Sequence, residues 1–127
     1  MNRRETGILG EKLALCSLKE RGYHICETNY RCPEGEMDIV AKDGDCLVFV
    51  EVRTRTSMEF GQPEESITTT KMRHLTAAAA HYYQTHHDLP PSRRIDVVAV
   101  ELDQEGKPTR IELIENAVSE TGPGRHH

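Results

Sequence analysis

Two apolar runs separated by Asp43-Gly44 limit the fold more than any other stretch of this 127-residue chain. Glu36–Lys42 (EMDIVAK) and Asp45–Val52 (DCLVFVEV) read as strands, and the dipeptide between them suits the positive φ values of a type I′ turn. With Asp43 and Gly44 as the two loop residues, Asp38 faces Phe49 and Glu36 faces Glu51. Side chains alternate along a strand, so Met37, Ile39, Ala41, Val48, Val50 and Val52 share one wholly apolar face. The opposite face carries Val40, Leu47 and Phe49 near the turn, then Glu36, Asp38, Glu51 and Arg53 toward the open end. Strands apolar on both sides lie inside a sheet covered on both sides.

The charges at that open end need an explanation. In this register Asp38 and Glu51 are diagonal neighbours with Cα atoms roughly 7–8 Å apart, close enough to lean on one cation. Two anions at the end of a buried sheet repel and lose hydration, at several kcal/mol per ion unless something compensates. A metal, or a basic partner such as Arg53, makes the arrangement reasonable. A three-residue loop would flip one strand relative to the other.

The rest of the chain supplies the company this hairpin needs. Glu5–Arg21 carries Leu9, Leu13, Cys16 and Leu18 near helical spacing, with Thr6 as a cap and Gly22 as a stop. Tyr23–Arg31 reads as a strand ended by Pro33 and Gly35, and residues 56–66 as a loop holding Gly61 and Pro63. Thr68–Thr85 is a second helix with Met72, Leu75, Ala79 and Tyr82 on one side, broken by Leu89-Pro90-Pro91-Ser92. Ile95–Leu102 is an apolar strand and Arg110–Ile114 a short edge strand. Residues 121–127 read as an unstructured tail, leaving 1–120 as a single domain. The order helix, three strands, helix, two strands predicts an α/β fold: a mixed sheet with helices against it.

Composition sets bounds on function. No 18-residue apolar run exists and the first ten residues lack the pattern of an export signal, so the expected location is cytoplasmic, without a membrane span. Cys16, Cys26, Cys32 and Cys46 contain no CxxC pair and are expected as small, reduced, buried hydrophobes. A net charge of −5 weighs against general adhesion to nucleic acid, although Arg3-Arg4, Arg53 with Arg55, Lys71 with Arg73, and Arg93-Arg94 could gather on one face. His74 and His81 lie seven residues apart on one helical face, which places them over about 10 Å apart along the axis, too far for one ion. They read as a solvated or partner-facing stripe. Asp96 reads as a turn or edge residue, and Glu36 as a cap of the hairpin.

The segment GEMDIVAKDGDCLVFVEVRTR, followed by Phe60-Gly61, Lys71 on a helix and the strand IDVVAV, resembles the uncharacterised bacterial family of the YraN type. That family is similar to Holliday-junction resolvases and to the wider restriction-endonuclease-like fold. The resemblance implies a metal-dependent endonuclease acting on structured DNA, with Glu11 as a helix acid and Asp38 and Glu51 as strand acids. Asp38, Glu51 and the main-chain carbonyl of Val52 would hold Mg²⁺ or Mn²⁺ through hard oxygen donors. Arg53, Arg55 and Lys71 would meet the phosphate backbone, and a homodimer would suit a two-fold substrate. One position departs from the family motif, where a lysine is expected and Arg53 stands. Arginine stays protonated, so Arg53 either grips phosphate or pairs with Glu51 or Asp38 in place of a metal. The second outcome implies a non-catalytic nucleic-acid-binding or assembly module.

Overall fold

The computed structural model describes residues 2–56 and 61–118, and the expectations for Phe60 and for the tail lie outside them. Helix α1 (Arg3–Glu20) is followed by strands β1 (His24–Cys32), β2 (Gly35–Asp43) and β3 (Cys46–Thr56). A 3₁₀ turn at Pro63–Ser66 leads to α2 (Thr69–Thr85), β4 (Ser92–Leu102) and β5 (Pro108–Val118). The sheet order is β1-β2-β3-β4-β5, antiparallel throughout except for the central β3–β4 pair, which is parallel. A parallel neighbour needs a long return connection, and α2 is that connection.

Helix α1 begins earlier than its apolar spacing suggests. Asn2, not Thr6, is the cap: its side chain accepts from the Glu5 amide at 2.8 Å while the Glu5 carboxylate takes the Asn2 amide at 2.9 Å. Thr6 is instead buried, first of a stripe continued by Gly10, Ala14 and Leu18. Small residues four apart let the helix press onto the sheet, while Leu9, Leu13 and Leu15 pack along its flanks. Gly10 marks the closest approach, since a Cβ there would sit 1.9 Å from Thr54 Oγ1. At the far end the Tyr23 amide bonds the Leu18 carbonyl and the Gly22 amide that of Lys19, a Schellman stop sealed by the buried Leu18 and Tyr23.

The β2–β3 turn is centred one residue later than expected. Asp43 pairs with Cys46 and Ile39 with Val50, so Gly44 and Asp45 form the loop. Gly44 has φ +58° and Asp45 has no positive φ, the pattern of a type II′ turn with glycine first. The register therefore moves by two residues and each strand keeps its faces. Asp38 is brought level with Glu51 rather than with Phe49.

Each face of the sheet carries its own core. Ile39, Ala41, Val48, Val50, Val98, Val100 and Leu102 pack under α1. Val40, Leu47, Phe49 and Ile95 pack under Leu75, Ala78, Ala79 and Tyr82 of α2. Met72, expected on that buried side, is 36% exposed. Met37, expected beside Ile39, instead joins its partner Tyr30 on the α2 side. The change falls where Asn29 takes a left-handed φ of +54° and the β2–β3 ladder has ended, so nothing there enforces strict alternation. Parallel pairing carries β3 on to Thr56, past its apolar run, and β5 runs beyond the expected Arg110–Ile114. The cysteines are not core residues: Cys16 and Cys26 are exposed, Cys32 and Cys46 half-buried, and all four are free. No helix among the described residues is long and apolar enough to cross a membrane.

Candidate functional site

The central strand β3 has Val97 of β4 beside Glu51, and Asp38 of β2 on its other side, so the carboxylate is only 3% exposed. Glu51 Oε2 lies 3.3 Å from Arg53 Nη2 and 3.4 Å from Lys71 Nζ, the latter reaching in from the first turn of α2. Glu51 Oε1 is buried with no hydrogen-bond partner, and so is Arg53 Nε. Burial, and then the adjacent Asp38, push the Glu51 carboxyl up to about 7, against the pull of Lys71 and Arg53. An acceptor and a donor left open side by side cost about 1–3 kcal/mol each, a penalty that a cation and an anion arriving together would relieve.

Asp38 is placed by the backbone next to Glu51. Its Oδ2 accepts the Val52 amide at 2.8 Å, standing in where the β2–β3 ladder stops at Ile39–Val50. Its charge helps to raise the Glu51 carboxyl. Val52 thus uses its amide to anchor Asp38. On the α1 side Glu11 is half-buried and accepts from Asn29 Nδ2 at 3.1 Å. Burial raises the Glu11 carboxyl, the Asn29 bond opposes this, and Asp38 and Glu36 raise it further.

A cavity of about 720 Å³ opens between the start of α1 and the end of β3. Glu11, Asp38, Val52, Arg53 and Arg55 line it together with Arg3 and Arg4. Glu51 stands behind Asp38 and Arg53 and does not reach the lining, and Lys71 covers it from the α2 side. The anticipated site residues therefore gather at one end of the sheet: Glu11, Asp38, Val52, Arg53 and Arg55 line the groove, with acids on one part of its wall and arginines on another, while Glu51 and Lys71 lie outside its lining. Two of them carry a relation the sequence did not reveal, the Lys71–Glu51 pair, and Asn29 was missed. Its one sequence signal is an asparagine, a residue that tolerates left-handed backbone, within a strand.

Other candidates lie elsewhere. Arg94 does not join the basic groove. It sits toward the turn end of the sheet, donating to Asp96 at 3.0 Å, to Tyr23 Oη at 2.6 Å and to Asp43 at 3.1 Å. Asp96 is neither a turn nor an edge residue: it is fully buried in mid-strand and also takes the Asn116 amide at 2.7 Å. With its partners met, this cluster is a structural tie. Glu36 pairs with exposed Arg31 at 3.4 Å. His81 is not simply solvated, since its Nδ1 is bonded to the buried Tyr30 hydroxyl at 2.6 Å.

The sequence matches the family model described as "Uncharacterised protein family UPF0102" over residues 10–100, a span that contains Glu11, Asp38, Glu51, Arg53 and Lys71. A UPF0102 protein of Dehalococcoides mccartyi is 51% identical over 119 residues, covering 94% of this chain and 97% of its own. Relatives from Caldicellulosiruptor saccharolyticus and Moorella thermoacetica are each 46% identical over 117 residues, covering 92% of this chain and 99% and 98% of theirs. The resemblance read from the hairpin and its flanking motifs is thereby borne out, and the chain belongs to the uncharacterised protein family UPF0102.

Proposed function

We propose that this protein is a Mg²⁺- or Mn²⁺-dependent endonuclease of the restriction-endonuclease-like class, acting on structured, branched DNA. The observation that carries the reading is the open pair at the end of β3: a buried Glu51 oxygen without a partner beside a buried Arg53 N–H without one. The α1-β1-β2-β3-α2-β4 order, with acids on α1, β2 and β3, supports the fold assignment. The donor set fits a hard divalent ion, with Asp38, Glu51 and the Val52 carbonyl as ligands and Glu11 contributing directly or through water. When bound, such an ion supplies Lewis acidity and an activated water.

The chain's own groups do the remaining work. Arg53 carries a permanent planar charge that can fork onto a phosphate, and Arg55 extends the positive wall along the cavity. Lys71 brings an ammonium to Glu51 from α2, supplying the lysine that the strand motif lacks at position 53. Asn29 holds Glu11 in place. A two-fold branched substrate would pair two copies of the chain.

A second reading rests on the same cations. Arg53 and Lys71 both lie on Glu51 Oε2, which fits a neutralised site in a non-catalytic nucleic-acid-binding module. Calorimetric titration of Mn²⁺ and Mg²⁺ into wild type and Glu51→Ala, with and without phosphorothioate DNA, separates the two. Binding lost in the variant, together with cleavage of branched DNA that Arg53→Lys preserves or raises, supports the nuclease. Equal binding by both proteins sinks the site assignment. DNA binding with no cleavage in Mn²⁺ favours the module.

A further inference from the structure

A second constellation lies at the β1–β2 turn. Cys32 and Glu34 sit on this two-residue hairpin, closed by the Cys32–Gly35 pair, and His81 faces them from α2. Among the described residues these are the one group of three potential ligands whose donor atoms all lie within 4.8 Å of one another. Tetrahedral ligands about Zn²⁺ stand about 3.3–3.6 Å apart, given metal–ligand distances near 2.0–2.3 Å. The widest separation allowed exceeds this by about 1.2–1.5 Å, and Glu34 is exposed on the turn.

Three further features suit a metal. Tyr30 Oη holds His81 Nδ1 at 2.6 Å, so His81 would bind an ion through Nε2, and an imidazole bound to a metal usually has its other nitrogen fixed in this way. Helix α2 lies against the turn, since a Cβ at Gly35 would lie 3.4 Å from the His74 Cβ and carbonyl oxygen. A thiolate and a carboxylate together balance a divalent charge, and a mixed sulfur, nitrogen and oxygen set selects a borderline ion over Mg²⁺.

We propose that Cys32, Glu34 and His81 form a zinc site separate from the acidic groove, clamping the β1–β2 turn to α2 and leaving a fourth position for water or an incoming group. The turn opens onto β2 about 10 Å from Asp38, from the rise of three strand residues. Binding here makes no use of Glu51.

Cobalt titration of the full chain tests this, because a thiolate ligand gives a sulfur-to-cobalt charge-transfer band and four-coordination gives intense visible bands. The expected result is one equivalent of Co²⁺ with both signatures, displaced by one equivalent of Zn²⁺. Both are retained in Glu51→Gln and Cys26→Ser, and lost in Cys32→Ser. Glu34→Gln, on the exposed turn where folding is not at stake, weakens binding at least about tenfold, and Tyr30→Phe weakens it about 10–100-fold. No thiolate band at one equivalent, a band that survives Cys32→Ser, or unchanged affinity in Glu34→Gln overturns the proposal. Loss of the band in Glu51→Gln would instead assign the ion to the groove and overturn it too.

Discussion

Replacing Glu51 by glutamine isolates the cost of the buried carboxylate. The native carboxyl is raised from 4.5 to about 7, so between these values the folded protein keeps a proton that the unfolded chain releases. Stability therefore falls as pH rises through this window, by about 3 kcal/mol from 1.36 kcal/mol per unit. At 3% exposure solvent screens little of this, and the attraction of Lys71 and Arg53 is already contained in the shifted value. Glutamine keeps the shape and cannot ionise. In chelator, Glu51→Gln should match wild type near pH 4.5 and exceed it by about 2–3 kcal/mol at pH 8, roughly 6–15 °C in Tm for a domain of this size. Urea and thermal unfolding at several pH values read the gap directly. Mg²⁺ at one hundred times its Kd should then return about 2.7 kcal/mol to wild type at pH 8 and almost nothing to the variant. Parallel stability curves for the two proteins from pH 4.5 to 8, or a variant weaker at pH 8, would refute the reasoning.

Three further outcomes are expected. Gly10→Ala places a Cβ 1.9 Å from Thr54 Oγ1 and 2.9 Å from Thr54 Cβ; it should cost about 1–3 kcal/mol in urea unfolding, and Thr54→Ala should restore part, where strict additivity would count against the clash. Asp96→Ala strips Arg94 and the Asn116 amide of a fully buried partner and should cost about 3–5 kcal/mol, and a loss below about 1 kcal/mol would contradict the tie. Arg110 meets Glu64 at 2.8 Å and Glu101 at 2.7 Å, yet Arg110 and these partners are 24%, 21% and 34% exposed; Arg110→Gln should cost only about 1 kcal/mol, and less in high salt.

The hairpin shows what a sequence can and cannot specify here. Alternation fixes faces, so the division of β3 into an α1 side and a largely α2-facing side was readable. Register was not, because Asp43-Gly44 and Gly44-Asp45 are both acceptable loops, and although they are offset by one residue their registers differ by two, which preserves every face. That ambiguity hid the level placement of Asp38 and Glu51. The α1 face was misread for another reason: a helix that approaches closely buries its small residues, and hydrophobicity points to Leu9 and Leu13 rather than to Thr6 and Gly10. Contacts such as Lys71 with Glu51 and His81 with Tyr30 join segments far apart in the chain, so no local spacing reports them.

The parallel β3–β4 pair also orders events on the ribosome. Glu11, Asp38 and Glu51 are all made within the first 51 residues, and the β1–β2–β3 meander can form from neighbouring segments alone. Lys71 follows twenty residues later and Val97, the β4 neighbour of Glu51, well after that. At about 5–20 residues per second the acids wait roughly 2–9 s for the strand that encloses them. During that interval the end of β3 is a hydrated sheet edge, open to any nascent or neighbouring chain able to add a parallel strand. The docking of β4 thus both shields the nascent β3 edge from mispairing and creates the buried end at which Glu51 and Arg53 stand open.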